Sequence, residues 1–207
     1  MKKINVKSLV ITSIVCLFPI LFGVMFYSQL PENIAIHFDI NNQPNSYFPK
    51  PVFVFGMPTI MVLLQAFCLI VNGLSDKHPE ANKKAIAVYK WIIPVLTIVM
   101  YLVTIIYALG NKLDIRKIVM IILGIMFVVI GNYLPKTKGN THVRVGRIKD
   151  EHIEQKMSKY SGYILILDGI LCMISTLFHT IASVAIIGIV ILEAIILNVY
   201  IYVKNRK

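Results

Sequence analysis

Six long apolar runs, at residues 9–27, 51–74, 91–109, 118–134, 161–178 and 181–203, alternate with short polar segments along the chain. Each run is about 17–24 residues long. At 1.5 Å per residue that is enough to cross a hydrocarbon layer of about 30 Å as a helix. The pattern predicts an all-α fold: a polytopic membrane protein with six transmembrane helices. The first run follows a short basic segment, as a signal peptide would, but its apolar part is about 19 residues, longer than the usual h-region of about 7–15. No small-residue cleavage pattern follows it. It is expected to be a retained span, adjusted at Pro19 as membrane helices tolerate.

The polar segments differ in character. Residues 29–50 form the longest interruption in the first half. Its Asn-Asn-Gln-Pro-Asn-Ser cluster is turn chemistry, and Ile34, Ile36 and Phe38 alternate with Ala35, His37 and Asp39 in a short strand-like pattern. Residues 110–117 predict a tight loop. Residues 179–180 leave room only for a minimal turn, so the fifth and sixth spans are expected to be antiparallel neighbours. The simplest assembly is three helical hairpins. It divides into an N-terminal two-span module (1–74, with loop 29–50) and a C-terminal four-span module (75–207, with loop 135–160).

Charge orients this layout. The chain is 57% apolar and only 15% charged, with a net charge of +11. Of its 21 Lys and Arg, 17 fall in the N-terminus, loops 75–90 and 135–160 and the C-terminus, which six crossings place on one side. By the positive-inside rule both termini are cytoplasmic and loop 29–50 is outside. The discordant patch is Lys112, Arg116 and Lys117. The positive balance is therefore read as topology and headgroup contact, with the lipid bilayer as partner and no direct nucleic-acid binding. Stacking modules of the kind that read nucleic acid are absent from the sequence.

Against this background a few polar residues stand out. Asp168 and Glu193 lie deep in the fifth and sixth runs, where an acid costs roughly 2.5–3.5 kcal/mol to insert. Counted from the turn between the two runs, their depths differ by about 6 Å, roughly one helical turn. They form either a candidate intramembrane polar site, together with Asn132 and with Gln65 and Asn198 in reach, or a hydrogen-bonded contact between helices. In loop 29–50, His37 and Asp39 are two candidate ligands without a third, which favours a packed loop over a metal site. Arg144, Arg147 and Lys149 are candidate docking residues on a basic face. Ile148, Ile153, Met157 and Tyr160 recur at spacings that suggest a short interfacial helix beside them.

The three cysteines, Cys16, Cys68 and Cys172, all fall inside apolar runs and give neither a disulfide framework nor a metal pattern. No nucleophile elbow, zinc-protease motif or phosphate loop occurs. An enzyme is not expected, and no cofactor or metal site is expected.

Three features together resemble the SdpI-type immunity proteins of Gram-positive bacteria. One is the loop series Leu30-Pro31, His37-Phe38-Asp39, Gln43-Pro44-Asn45 and Pro49-Lys50, which is similar to the loop of a small domain of unknown function that commonly begins such proteins. The second is Gly131-Asn132-Tyr133-Leu134-Pro135-Lys136 at the exit of the fourth run, and the third is the six-span layout itself. The resemblance implies an immunity protein of the bacterial cytoplasmic membrane, protecting its cell against a secreted membrane-active peptide toxin. It also implies capture of a cytosolic repressor protein in response to toxin. The toxin would meet the outer loop, with His37, Phe38, Asp39, Pro44, Asn45 and Lys50 as candidate contacts. The alternative is a small proton- or ion-coupled transporter using Asp168 and Glu193.

Overall fold

In the computed structural model, which describes residues 6–75, 82–137, 151–178 and 180–206, the apolar runs are helices and prolines set where those helices break. The first run is split into α1 (Val6–Leu17) and α2 (Ile20–Met25) around Phe18 and Pro19. The second begins at Pro51 with a π-turn, Val52–Gly56, and continues as α3 (Met57–Ser75). The third starts earlier than its apolar core, as α4 (Lys83–Tyr89), and resumes after Trp91 as α5 (Ile92–Ala108). The remaining helices are α6 (Ile115–Tyr133), ending in a 3-10 turn at Leu134–Lys136, α7 (Glu151–Ser175) and α8 (Thr180–Arg206). Six of the helical stretches are long and apolar enough to cross a membrane.

Two expectations need correcting. The fold is mostly helical, but loop 29–50 is a β-hairpin of β1 (Asn33–Phe38) and β2 (Pro44–Pro49), paired antiparallel. The alternation at Ile34, Ile36 and Phe38 was its signature. A bulge interrupts the register between Ala35 and Phe38, so strict alternation fails and Ala35 is buried beside Ile34. The second correction concerns loop 135–160. Ile153, Met157 and Tyr160 do not form a separate interfacial helix. They belong to the first turns of α7, which runs unbroken into the fifth span.

The chain forms two compact units, interleaved in sequence. One comprises Met1–Leu74 and Lys90–Arg116, the other Ser75–Tyr89 and Lys117–Lys207. The core of the first is Leu30, Ile34, Phe53, Val54, Tyr101 and Ile105, with Phe22, Phe26, Ile36 and Phe48 packed around it. One face of the hairpin is thus seated on the ends of the helices beside it.

Prolines inside these helices leave carbonyls four residues earlier without their usual donor, and side chains from elsewhere in the unit satisfy them. Pro58 frees the Val54 carbonyl, which accepts from Tyr101 Oη at 3.2 Å, and the Tyr101 ring stacks on Phe53. Pro94 frees the Lys90 carbonyl, which accepts from Gln65 Nε2 at 2.9 Å. Gln65, buried to 1% exposure, thus completes the broken backbone of the third span.

In the second unit α6 and α7 meet at glycines. A Cβ added to Gly169 would lie 2.5 Å from the Gly124 carbonyl, and one added to Gly124 would lie 2.5 Å from the Gly169 carbonyl. Gly131 and Gly162 oppose each other in the same way, at 2.6 and 2.7 Å. Both pairs are reciprocal and each is seven residues from the next, so the two backbones touch along two helical turns. Close approach through small residues is the usual adhesive of membrane helices.

Candidate functional site

The hairpin is locked from three directions. Asp39 closes its turn: Oδ1 accepts from the backbone N–H groups of Asn41 and Gln43, each at 2.8 Å. Asn42 takes the left-handed conformation, with φ 61°, which asparagine tolerates. Its side chain reaches across to the loop before α6. Nδ2 donates to the Leu113 carbonyl and Oδ1 accepts from the Ile115 N–H, both at 2.9 Å. Asn42 is thereby the cap of the first turn of α6, supplied from 73 residues away. At the other end Lys50 is buried at 7% exposure. Its Nζ lies 2.9 Å from Glu32 and over the Tyr27 ring.

These contacts sort the six candidate toxin-facing residues. His37 and Asn45 are exposed and hydrogen-bonded to each other, Nδ1 to Oδ1 at 2.5 Å. Phe38, Asp39 and Pro44 are half-buried, Phe38 edge-on to Tyr107 and Asp39 occupied by its turn. Lys50 is buried, its charge held by the exposed Glu32. Among the described residues no group of three or more His, Cys, Asp or Glu is placed to hold a metal. Two exposed apolar residues on the hairpin, Ile40 and Tyr47, each 51% exposed, were missed in the sequence. Tyr47 falls on the outward phase beside the packed Phe48, whereas Ile40 lies in the turn beyond β1 and carried no signal in the alternation.

A second cluster lies in the other unit, on α7 and α8. Where the two helices come together, Ser175 at the end of α7 and Ser183 in the first turn of α8 hold their hydroxyls 3.1 Å apart. Two turns along α7 from this pair lies Asp168, at 4% exposure. Its carboxyl is hydrogen-bonded to that of Glu193, so the structure does bring these two together. Cys172, one turn from Asp168, is fully buried and within electrostatic range of it.

The buried face of α7 carries Ser158, Ser161, Asp168, Cys172 and Ser175, spaced three, seven, four and three apart along one side of a helix. Ser161 and Ser175 hydroxyls turn back onto their own helix, donating to the Met157 and Cys172 carbonyls at 2.8 and 2.7 Å. The other residues expected at this site stand elsewhere. Asn132 is exposed and accepts from Lys136 Nζ at 3.3 Å. Gln65 is committed to Lys90 in the first unit. The side chain of Asn198, and Arg144, Arg147 and Lys149 with Ile148, fall outside the described residues.

Residues 14–62, which run from the first span through the hairpin into the second, match the family described as Domain of unknown function (DUF1648). No curated protein and no solved structure matches the chain. The matched stretch and the six apolar helices together make this a multi-pass membrane protein that carries a region similar to DUF1648.

Proposed function

We propose that the chain is an integral membrane immunity protein of the bacterial cytoplasmic membrane, with both termini in the cytoplasm, and that it protects its cell against a secreted membrane-active peptide toxin. The observation that carries the reading is the β-hairpin between the first two spans. It bears the residues of the family resemblance, it is fastened at its turn and at its base, and it still leaves Ile40 and Tyr47 51% exposed each. A rigid loop with exposed apolar side chains meets a peptide at little entropic cost, and an aromatic anchor is the usual centre of such a contact. The activity is binding and involves no catalysis.

Expression in a toxin-sensitive strain tests the reading. The chain should restore growth, and the double variant Ile40→Asp/Tyr47→Asp should lose most of that protection at equal membrane abundance. Unchanged killing of cells carrying the native chain at matched expression would refute it. The same reading includes capture of a cytosolic repressor through Arg144, Arg147 and Lys149. Recovery of such a protein in pull-downs should disappear when all three become Ala.

A second reading, a small proton- or ion-coupled transporter, is favoured by the Asp168–Glu193 contact alone. It requires flux in proteoliposomes that Asp168→Asn and Glu193→Gln abolish.

A further inference from the structure

We infer that Asp168 and Glu193 form a proton-binding site inside the membrane, in which the two carboxyl groups hold one exchangeable proton between them. The argument begins with chemistry. Ionised carboxylates only accept hydrogen bonds, so two of them in contact need a proton on one. Two like charges at that distance cannot both persist in an apolar setting, and one of the pair takes up the proton.

The geometry supports the contact independently. The Ser175–Ser183 hydroxyl pair sets the register of α7 against α8. From it, Asp168 lies seven residues down one helix and Glu193 ten residues up the other. At 1.5 Å per residue the two acids come level to within about 5 Å, within the reach of their side chains.

A further observation points to an occupant. Glu193 Oε2 is buried and has no hydrogen-bond partner, so the pair has accepting capacity that the protein leaves unused. Among the described residues of α6, α7 and α8, no group beside the pair carries a compensating charge. On α7 the neighbouring titratable group is Cys172. On α6, which packs against Gly169 through Gly124, Arg116 and Lys117 stand at the first turn and Tyr133 at the last, with no ionisable residue between. On α8, Glu193 is the only acid. With no Lys or Arg at its level among the described residues of α6, α7 and α8, the site is neutralised by a proton. The absence of a third His, Cys, Asp or Glu ligand among the described residues argues against a divalent metal.

The site stands whether or not a solute moves and whether or not the chain protects against a toxin. A hydrophobic carbodiimide, which reacts with protonated carboxyl groups in apolar surroundings, tests it on the purified full chain in detergent. The expected result is one adduct per chain, mapped by mass spectrometry to Asp168 or Glu193. Its yield should rise as the pH is lowered, and fall about tenfold per pH unit once the proton is lost. The variant Asp168→Asn/Glu193→Gln, isosteric and checked for an unchanged elution profile, should give no adduct.

Infrared spectroscopy supplies a second readout that needs no reagent access. A protonated-carboxyl C=O band should be present in the native chain, titrate over the same pH range, and be missing from the double variant. Absence of both adduct and band at every pH would overturn the inference. So would an adduct that survives the double variant, or protection by sodium at constant pH, which would make this a cation site instead.

Discussion

Adding one methyl group at Gly169 should unpin α6 from α7. The new Cβ would lie 2.5 Å from the Gly124 carbonyl oxygen, 2.9 Å from Val128 Cγ2 and 3.0 Å from the Val128 nitrogen. Two of these neighbours are backbone atoms and cannot swing aside. Ordinary contact begins near 3.4 Å, so the helices must separate by about 0.9 Å. A gap of about 0.5–1 Å forfeits a quarter to a half of the dispersion well for every atom pair across it. Overpacking of this kind costs roughly 1–3 kcal/mol, and the same range is expected for Gly131→Ala, whose Cβ would meet the Gly162 carbonyl at 2.6 Å.

The assay is unfolding of the purified chain in mixed micelles titrated with a denaturing detergent, with Gly188→Ala as control. Gly188 sits on α8 with nothing within 4 Å of an added Cβ, so its substitution should change stability by less than about 0.5 kcal/mol. If Gly169→Ala and Gly131→Ala unfold at the same detergent fraction as Gly188→Ala, the glycine contact does not hold these helices together.

Other substitutions test the repairs at the prolines and the hairpin. Tyr101→Phe leaves the Val54 carbonyl unpaired and should cost about 1–3 kcal/mol in the same titration, although it removes one oxygen only. Gln65→Leu should cost a similar amount by orphaning the Lys90 carbonyl, more than expected for making a span more apolar. Asn42→Ala removes two hydrogen bonds and a residue suited to positive φ. It should speed amide exchange at residues 39–43 and at Ile115 while leaving the helices' exchange unchanged, and Asn42→Gly should restore the turn but not the protection at Ile115.

The two acids of the membrane show where sequence reading reached and where it stopped. Their burial in apolar runs and the minimal turn between those runs were enough to bring Asp168 and Glu193 level, because helical rise is fixed. Which other polar groups join them was not legible. Asn132 and Gln65 fall in apolar runs of the same kind, but the direction a side chain faces depends on which helix packs beside it.

Hydropathy alone determined the six spans, since the length of an apolar run is set by the thickness it must cross. The short alternation in residues 29–50 also carried the strand, though not the bulge that buries Ala35. Only the tertiary structure decided that α5 belongs to the same compact unit as the first two spans, that Lys50 is buried and paired to Glu32, and that Gln65 and Tyr101 exist to serve carbonyls freed by Pro94 and Pro58. The same holds for Gly131. In the sequence it is a small residue near the end of a span, while in the fold it is a point where two backbones touch. The physical reason is common to all of these. Periodicity and hydropathy are local properties of a chain, whereas an unsatisfied carbonyl or a space too small for a methyl group arises only when distant segments meet.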